Sequence, residues 1–288
     1  MESPGKAPDQ LSVVDVLGPR GLVARQLARF ESRPEQLRMA EATAGALHDQ
    51  KHLLVEAGTG VGKSFAYLVP AILAATEPAS KERHGRVIIS THTISLQEQL
   101  LHKDIPFLSG VIPREFSTCL VKGRRNYLSR RRMELARTRM ATLFGGFEEV
   151  NELKRIVTWA HGSGDGSLSD LTWKPQSAVW DEVASDHGNC LGKHCPTYST
   201  CFYYRARRRM QHAQILLVNH ALFFSDLALR AQGASLLPEF DAVIFDEAHT
   251  IPAVASEHLG LKVSSRQIEY ALLRLYNDRT QKGLLVTR

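Results

Sequence analysis

The sequence predicts an α/β fold built on a parallel sheet, and three observations carry that expectation. Short, almost continuous apolar runs recur: HLLVEA (52–57), RVIIST (86–91), TCLVKG (118–123), ILLV (215–218) and AVIFD (242–246). Strands covered on both faces read this way. Helical periodicity separates several of these runs, as in strand–helix–strand units. A glycine-rich loop, Ala57-Gly58-Thr59-Gly60-Val61-Gly62-Lys63-Ser64, follows the first run and opens a helix.

Taken in order, residues 1–15 are polar and proline-containing and read as a loose leader. A helix is expected over 34–48, because Pro34 suits a first helical position and apolar residues recur at three- and four-residue spacing. Residues 63–75, KSFAYLVPAILAA, read as an apolar helix, kinked or interrupted at Pro70. SLQEQLL (95–101) reads as a helix after the second strand. The rhythm breaks after 123. Residues 124–213 hold basic helices, the stretch HGSGDGSLSD (161–170), aromatic islands and three cysteines, and they read as an insertion. The sheet then resumes, and 265–277 reads as an amphipathic helix. No internal repeat is visible.

Composition is that of an ordinary globular protein, with 43% hydrophobic and 23% charged residues among 288. No apolar stretch reaches the length of a membrane span. The start, MESPGKAPDQ, lacks a signal-peptide core, so a cytoplasmic location is expected. Net charge is +6, and the basic residues cluster in KGRRNYLSRRR (122–132) and RARRR (205–209). Such clusters suit a polyanion, because each phosphate neutralised releases counterions. The plainer reading is a solvated helix face.

The glycine-rich loop has the chemistry of a phosphate cradle. Small residues let backbone N–H groups close on phosphate oxygens. Lys63 can reach the outer phosphates, and the Ser64 hydroxyl can hold Mg2+. The helix that begins there adds its positive dipole end. Downstream, Asp246 ends an apolar strand and is followed by Glu247, Ala248 and His249. A carboxylate at a strand tip can hold magnesium, and a second one can activate water as a general base. Asp246 and Glu247 are assigned these roles, and His249 is expected to couple the site to movement elsewhere.

Cys190, Cys195 and Cys201 fall within one short segment, and Cys119 lies on a predicted strand. With no secretion signal in view, this grouping points to metal chemistry rather than disulfides. Three thiolates completed by His187 or His194 would suit zinc. A loop that holds no metal is the other reading.

At this point the chain resembles the DinG/XPD family of superfamily 2 DNA helicases, whose fold is a RecA-like P-loop NTPase motor. Arg33-Pro34-Glu35-Gln36 with Met39 resembles the adenine-reading Q motif, which implies that Arg33 and Gln36 face the base. Glu56 to Ser64 resembles motif I. Ser90-Thr91-His92-Thr93 followed by Leu96-Gln97-Glu98-Gln99-Leu100 resembles motif Ia, which implies DNA-backbone contacts by Thr91 and Thr93. Lys122 to Leu128 resembles the start of the family's iron–sulfur domain, Asn219-His220-Ala221-Leu222 its return to the core, and Asp246-Glu247-Ala248-His249 the DEAH box.

The resemblance implies ATP and Mg2+ as cofactors, single-stranded DNA as partner and hydrolysis coupled to 5′-to-3′ movement. It also divides the chain. Residues 16–123 and 214–249 would form the first motor domain, 124–213 the iron–sulfur-type insertion, and 250–288 the start of a helical Arch. Family members often bind a 4Fe–4S cluster through four cysteines. Here three match Cys190, Cys195 and Cys201, while Ser129 stands at the first position. DNA phosphates would meet Arg124, Arg125, Arg130, Arg131 and Arg132. Tyr127, Phe202, Tyr203 and Tyr204 would stack bases or fill a small core. No second motor domain is found, so a fragment, a truncated frame or half of a split enzyme is expected. The competing functions are a non-catalytic DNA-binding or regulatory remnant and a phosphate-loop enzyme acting on small molecules.

Overall fold

The computed structural model describes residues 10–77, 85–260 and 264–276. Two short helices open it, α1 (Val13–Leu17) and α2 (Leu22–Gln26). Ser12 and Asp15 form a reciprocal capping box on α1, whose Val13, Val16 and Leu17 are buried. The expected leader therefore gives way to folded chain by residue 12; residues 1–9 lie outside the described residues.

Helix α3 (Pro34–Asp49) has Pro34 in its first turn as predicted. Helix α4 (Lys63–Ala75) follows the glycine-rich loop and runs through Pro70 without interruption. Then come β1 (Val87–Thr91), α5 (Ile94–Gln99), a π-helical turn over Leu100–Asp104, α6 (Ile105–Val111) and β2 (Thr118–Leu120). The inserted stretch holds α7 (Arg130–Thr138), α8 (Met140–Leu143), α9 (Phe147–Gly162), α10 (Ser177–Val183) and α11 (Phe202–His212). The chain returns through β3 (Ile215–Asn219), α12 (His220–Arg230), β4 (Ala242–Phe245), α13 (Ile251–Leu259) and α14 (Ser265–Leu275).

The strands form one four-stranded sheet in the order β2-β3-β1-β4, every pair parallel. Alternation along the strands divides the core. Val87, Ile89, Ile215 and Leu217 pack with α1, α3, α4 and α6, while Ile88, Leu216 and Val218 pack with Met210, Phe223 and Phe224. A third cluster, including Tyr127, Leu128, Met133, Leu153, Ile156, Val179 and Phe202, lies within the inserted stretch.

One predicted strand is not a strand. Residues 52–57 join no sheet, and Leu54 is 91% exposed. The apolar run has the composition of a buried strand, but β4 pairs only with β1. Without a ladder partner the run forms no strand.

Polar groups hold the return segment. Asp226 is fully buried on α12. Its Oδ1 accepts from the Leu236 and Leu237 amides at 2.6 and 2.8 Å, and its Oδ2 accepts from Arg230 Nε at 2.7 Å. Asp226→Asn keeps the shape but sets an amide donor against one of these donors. We expect a loss of roughly 1–3 kcal/mol of stability, read from the midpoint of chemical denaturation.

Candidate functional site

The phosphate-type loop ends at Gly62, whose φ of +84° caps α4 in the left-handed region. A side chain there would also collide with the Gln36 amide. Gln36 Nε2 donates to the Gly62 carbonyl at 2.9 Å, and Arg33 Nη1 donates to the Gly60 carbonyl at 2.5 Å. The two residues expected to face a base thus clamp the loop backbone.

Lys63 Nζ lies 3.5 Å from the Ala57 carbonyl and 3.6 Å from Glu247 Oε1. Loop and acidic tip, 184 positions apart by 247 − 63, therefore converge on one ammonium. Glu247 adopts φ +56°, rare for a side-chain-bearing residue and typical of functional sites. Its Oε2 is 3.4 Å from Nδ1 of the exposed His249.

Asp246 is held from three sides. Its Oδ1 accepts from the Glu247 amide at 2.9 Å, and its Oδ2 accepts from the Tyr67 hydroxyl at 2.9 Å. His220 Nε2 lies 3.1 Å from the Asp246 carbonyl and its Nδ1 2.6 Å from Ser90 Oγ. A carbonyl only accepts, so Nε2 carries the proton and Nδ1 accepts from Ser90. Burial lowers the His220 pKa, which agrees with this neutral ring. Burial, then the Asp246 charge, hold the Tyr67 phenol well above its ordinary range, with a Ser64 hydrogen bond opposing. Burial also raises the Asp104 carboxyl, against hydrogen bonds from Gln99 and Ser64 and the charge of Lys103.

Sequence reading missed Tyr67 and Asp104, and it named His220 within the Asn219–Leu222 segment without giving it a role. Tyr67 carried a usable signal, since it stands three residues after Ser64 and so on the same helix face. Asp104 carried none. Beside the acidic tip, His92, Thr93, Leu96, Gln99, Glu247, His249 and Thr250 line an open cleft of about 400 Å³. Thr93 caps α5 by accepting from the Leu96 amide, whereas Thr91 is fully buried and turned away from solvent.

The DEAD/DEAH box helicase family matches residues 33–155, and the DEAD_2 family matches 183–268. A protein named ATP-dependent DNA helicase YoaA, from Escherichia coli, is 37% identical over 261 residues, which cover 89% of this chain and 39% of that protein. ATP-dependent helicase DinG of Mycobacterium tuberculosis is 33% identical over 264 residues, 84% of this chain and 38% of its own. A Bacillus subtilis protein named 3'-5' exonuclease DinG is 29% identical over 257 residues, 89% of this chain and 26% of its own. The chain belongs to the DinG-like superfamily 2 helicases. It spans about two fifths of the YoaA and DinG helicases named here.

The parallel sheet with its loop-led α4 is the RecA-like P-loop fold of these helicases. The iron–sulfur cluster implied by the resemblance finds no complete set of thiolates here. Ser129, Cys190, Cys195 and Cys201 line one pocket, so the structure brings the four positions together. The Ser129 hydroxyl caps α7, and a hydroxyl is a poor substitute for the fourth thiolate. Cys190 Sγ accepts from Arg124 Nη2 at 3.2 Å and from the Gly192 amide at 3.4 Å. Burial pushes this thiol up, but hydrogen bonds from Gly192 and Tyr204 and the Arg124 charge outweigh it, leaving it below its ordinary value. Cys119 faces the core beneath the sheet and is no fourth ligand. Among the described residues no group of three or more His, Cys, Asp or Glu is placed to hold a metal ion, so the zinc alternative gains no support here.

The arginines expected to meet DNA are largely engaged within the stretch between β2 and β3. Arg124 lies over the Tyr203 ring at 4.2 Å, and Arg130 over Phe202 at 4.4 Å. Arg131 donates to the Asn189 carbonyl, and Arg132 to the Ala184 and Asp181 carbonyls. Arg125 pairs with Asp181 at 2.6 Å with 70% of its side chain exposed. Tyr127 and Phe202 are buried and fill the insertion core, as the plainer reading expected. No helix among the described residues is long and apolar enough to cross a membrane.

Proposed function

We propose that this chain is the ATP-binding part of a DinG/XPD-like DNA helicase, holding Mg·ATP at the loop and acidic tip and single-stranded DNA beside it. The observation that carries this reading is the meeting of Lys63 and Glu247 at 3.6 Å, with Asp246 fixed next to them. Lys63 binds the outer phosphates, and the loop from Ala57 through Gly58, Thr59, Gly60, Val61 and Gly62 wraps them with backbone amides. Ser64 and Asp246 offer hard oxygen donors that suit Mg2+. The ion supplies charge that neutralises the phosphates in the transition state. Glu247 accepts the proton of the attacking water, and His249 steadies Glu247 on the side facing the cleft. Thr93 borders that cleft, and Arg125 is the most available arginine of the basic run.

Residues 16–123 and 214–249 serve as the first motor domain, 124–213 as an insertion and 250–288 as the start of an Arch. Efficient hydrolysis and 5′-to-3′ unwinding await a second motor domain, whose arginine finger can contribute roughly three to five powers of ten in rate. That domain is either more of the same polypeptide or a separate chain, and the setting is cytoplasmic. The test is calorimetry with Mg·ATP combined with fluorescence anisotropy of labelled single-stranded DNA. Nucleotide binding, and DNA affinity that changes when nucleotide is added, are expected. DNA binding indifferent to ATP would mark the chain as a non-catalytic remnant.

A further inference from the structure

We propose that Tyr67 sets the cation preference of the Mg·ATP site, by pinning the Asp246 carboxylate, each of whose oxygens already accepts one hydrogen bond, against binding a metal through both oxygens. The inference deepens the nucleotide reading above and rests on it. Tyr67 is 2% exposed on α4, one turn after Ser64. Its hydroxyl donates to Asp246 Oδ2 at 2.9 Å, so it bears directly on a candidate metal donor. The Glu247 amide fixes Oδ1 from behind at 2.9 Å, and His220 fixes the Asp246 backbone. A carboxylate pinned in this way cannot swing to present both oxygens symmetrically.

Cation chemistry makes this restraint selective. Mg2+ demands near-octahedral geometry and takes single oxygens, whereas Ca2+ accepts more ligands and readily takes a carboxylate through both oxygens. Tyr67 therefore favours the smaller ion without touching it. Losing the hydroxyl leaves the ring packed in place but frees Oδ2 for two-oxygen binding.

The experiment compares the parent chain with Tyr67→Phe, titrating free Mg2+ and separately free Ca2+ at fixed fluorescent ATP analogue. Circular dichroism and the unfolding midpoint report folding. A hydrogen bond to a charged group has the strength to shift the ratio of half-saturating Ca2+ to Mg2+ by about tenfold. The expected result is a fall of that size in Tyr67→Phe, with nucleotide still bound. A ratio unchanged in the variant overturns the proposal, because a merely structural tyrosine would weaken both ions alike. Should Tyr67→Phe fail to fold, the parent decides: equal half-saturation by the two ions overturns it, and a tenfold preference for Mg2+ sustains it. A parent that binds no nucleotide with either ion removes the underlying site reading, and the proposal with it.

Discussion

Replacing Glu247 by glutamine is expected to lower phosphate release by about 10³-fold, within the range of a positioned general base, while Mg·ATP affinity changes less than about threefold. The carboxylate sits at the tip of β4 in a left-handed backbone conformation that aims it at the loop. Glutamine keeps that shape but cannot take a proton. Its amide no longer pairs with Lys63, which lies 3.6 Å away, so the ammonium stays available to phosphate. The measurement is a phosphate-release assay with single-stranded DNA present, beside a calorimetric titration. Equal loss of turnover and binding would mean that Glu247 shapes the site rather than performs a step in it. Undiminished turnover would place the base elsewhere.

Lys63→Ala should act on binding instead. One charge-assisted contact to phosphate is worth about 1.5–3 kcal/mol, so affinity should fall roughly ten- to a hundredfold. Stability should move by less than about 1 kcal/mol, because the Lys63–Glu247 pair is half-exposed and screened, with 31% and 40% of the two side chains accessible. Calorimetry with Mg·ATP and a thermal melt without it separate the two effects. Unchanged affinity would refute the role given to the loop.

The parts of this molecule that were legible from sequence are those governed by local chemistry. Pro34 marked a helix start, and the apolar runs at 86–91, 215–218 and 242–246 became β1, β3 and β4 because each has a strand to pair with. Convergence of Lys63 with Glu247 was also foreseeable, since both belong to recognisable spacings. What escaped depends on neighbours. Residues 52–57 have a strand's composition but no strand beside them. Thr91 was expected to touch DNA, yet it lies inside β1. The arginines of 124–132 look free in a one-dimensional reading, but loop carbonyls and aromatic rings reach them in space. Tyr67 reads as one more core aromatic until Asp246 is found at its hydroxyl.

The exposed approach at 52–57 bears on how strongly a ligand can be held. The phosphate loop is anchored downstream by α4 and sideways by Arg33 and Gln36, whereas the stretch leading into it joins no strand and leaves Leu54 almost fully exposed. Ordering an unpaired stretch of this kind on binding would draw on the free energy of gripping a triphosphate. A polypeptide laid alongside it would do this ordering in advance, tightening the grip from a distance without contributing a single atom to the pocket.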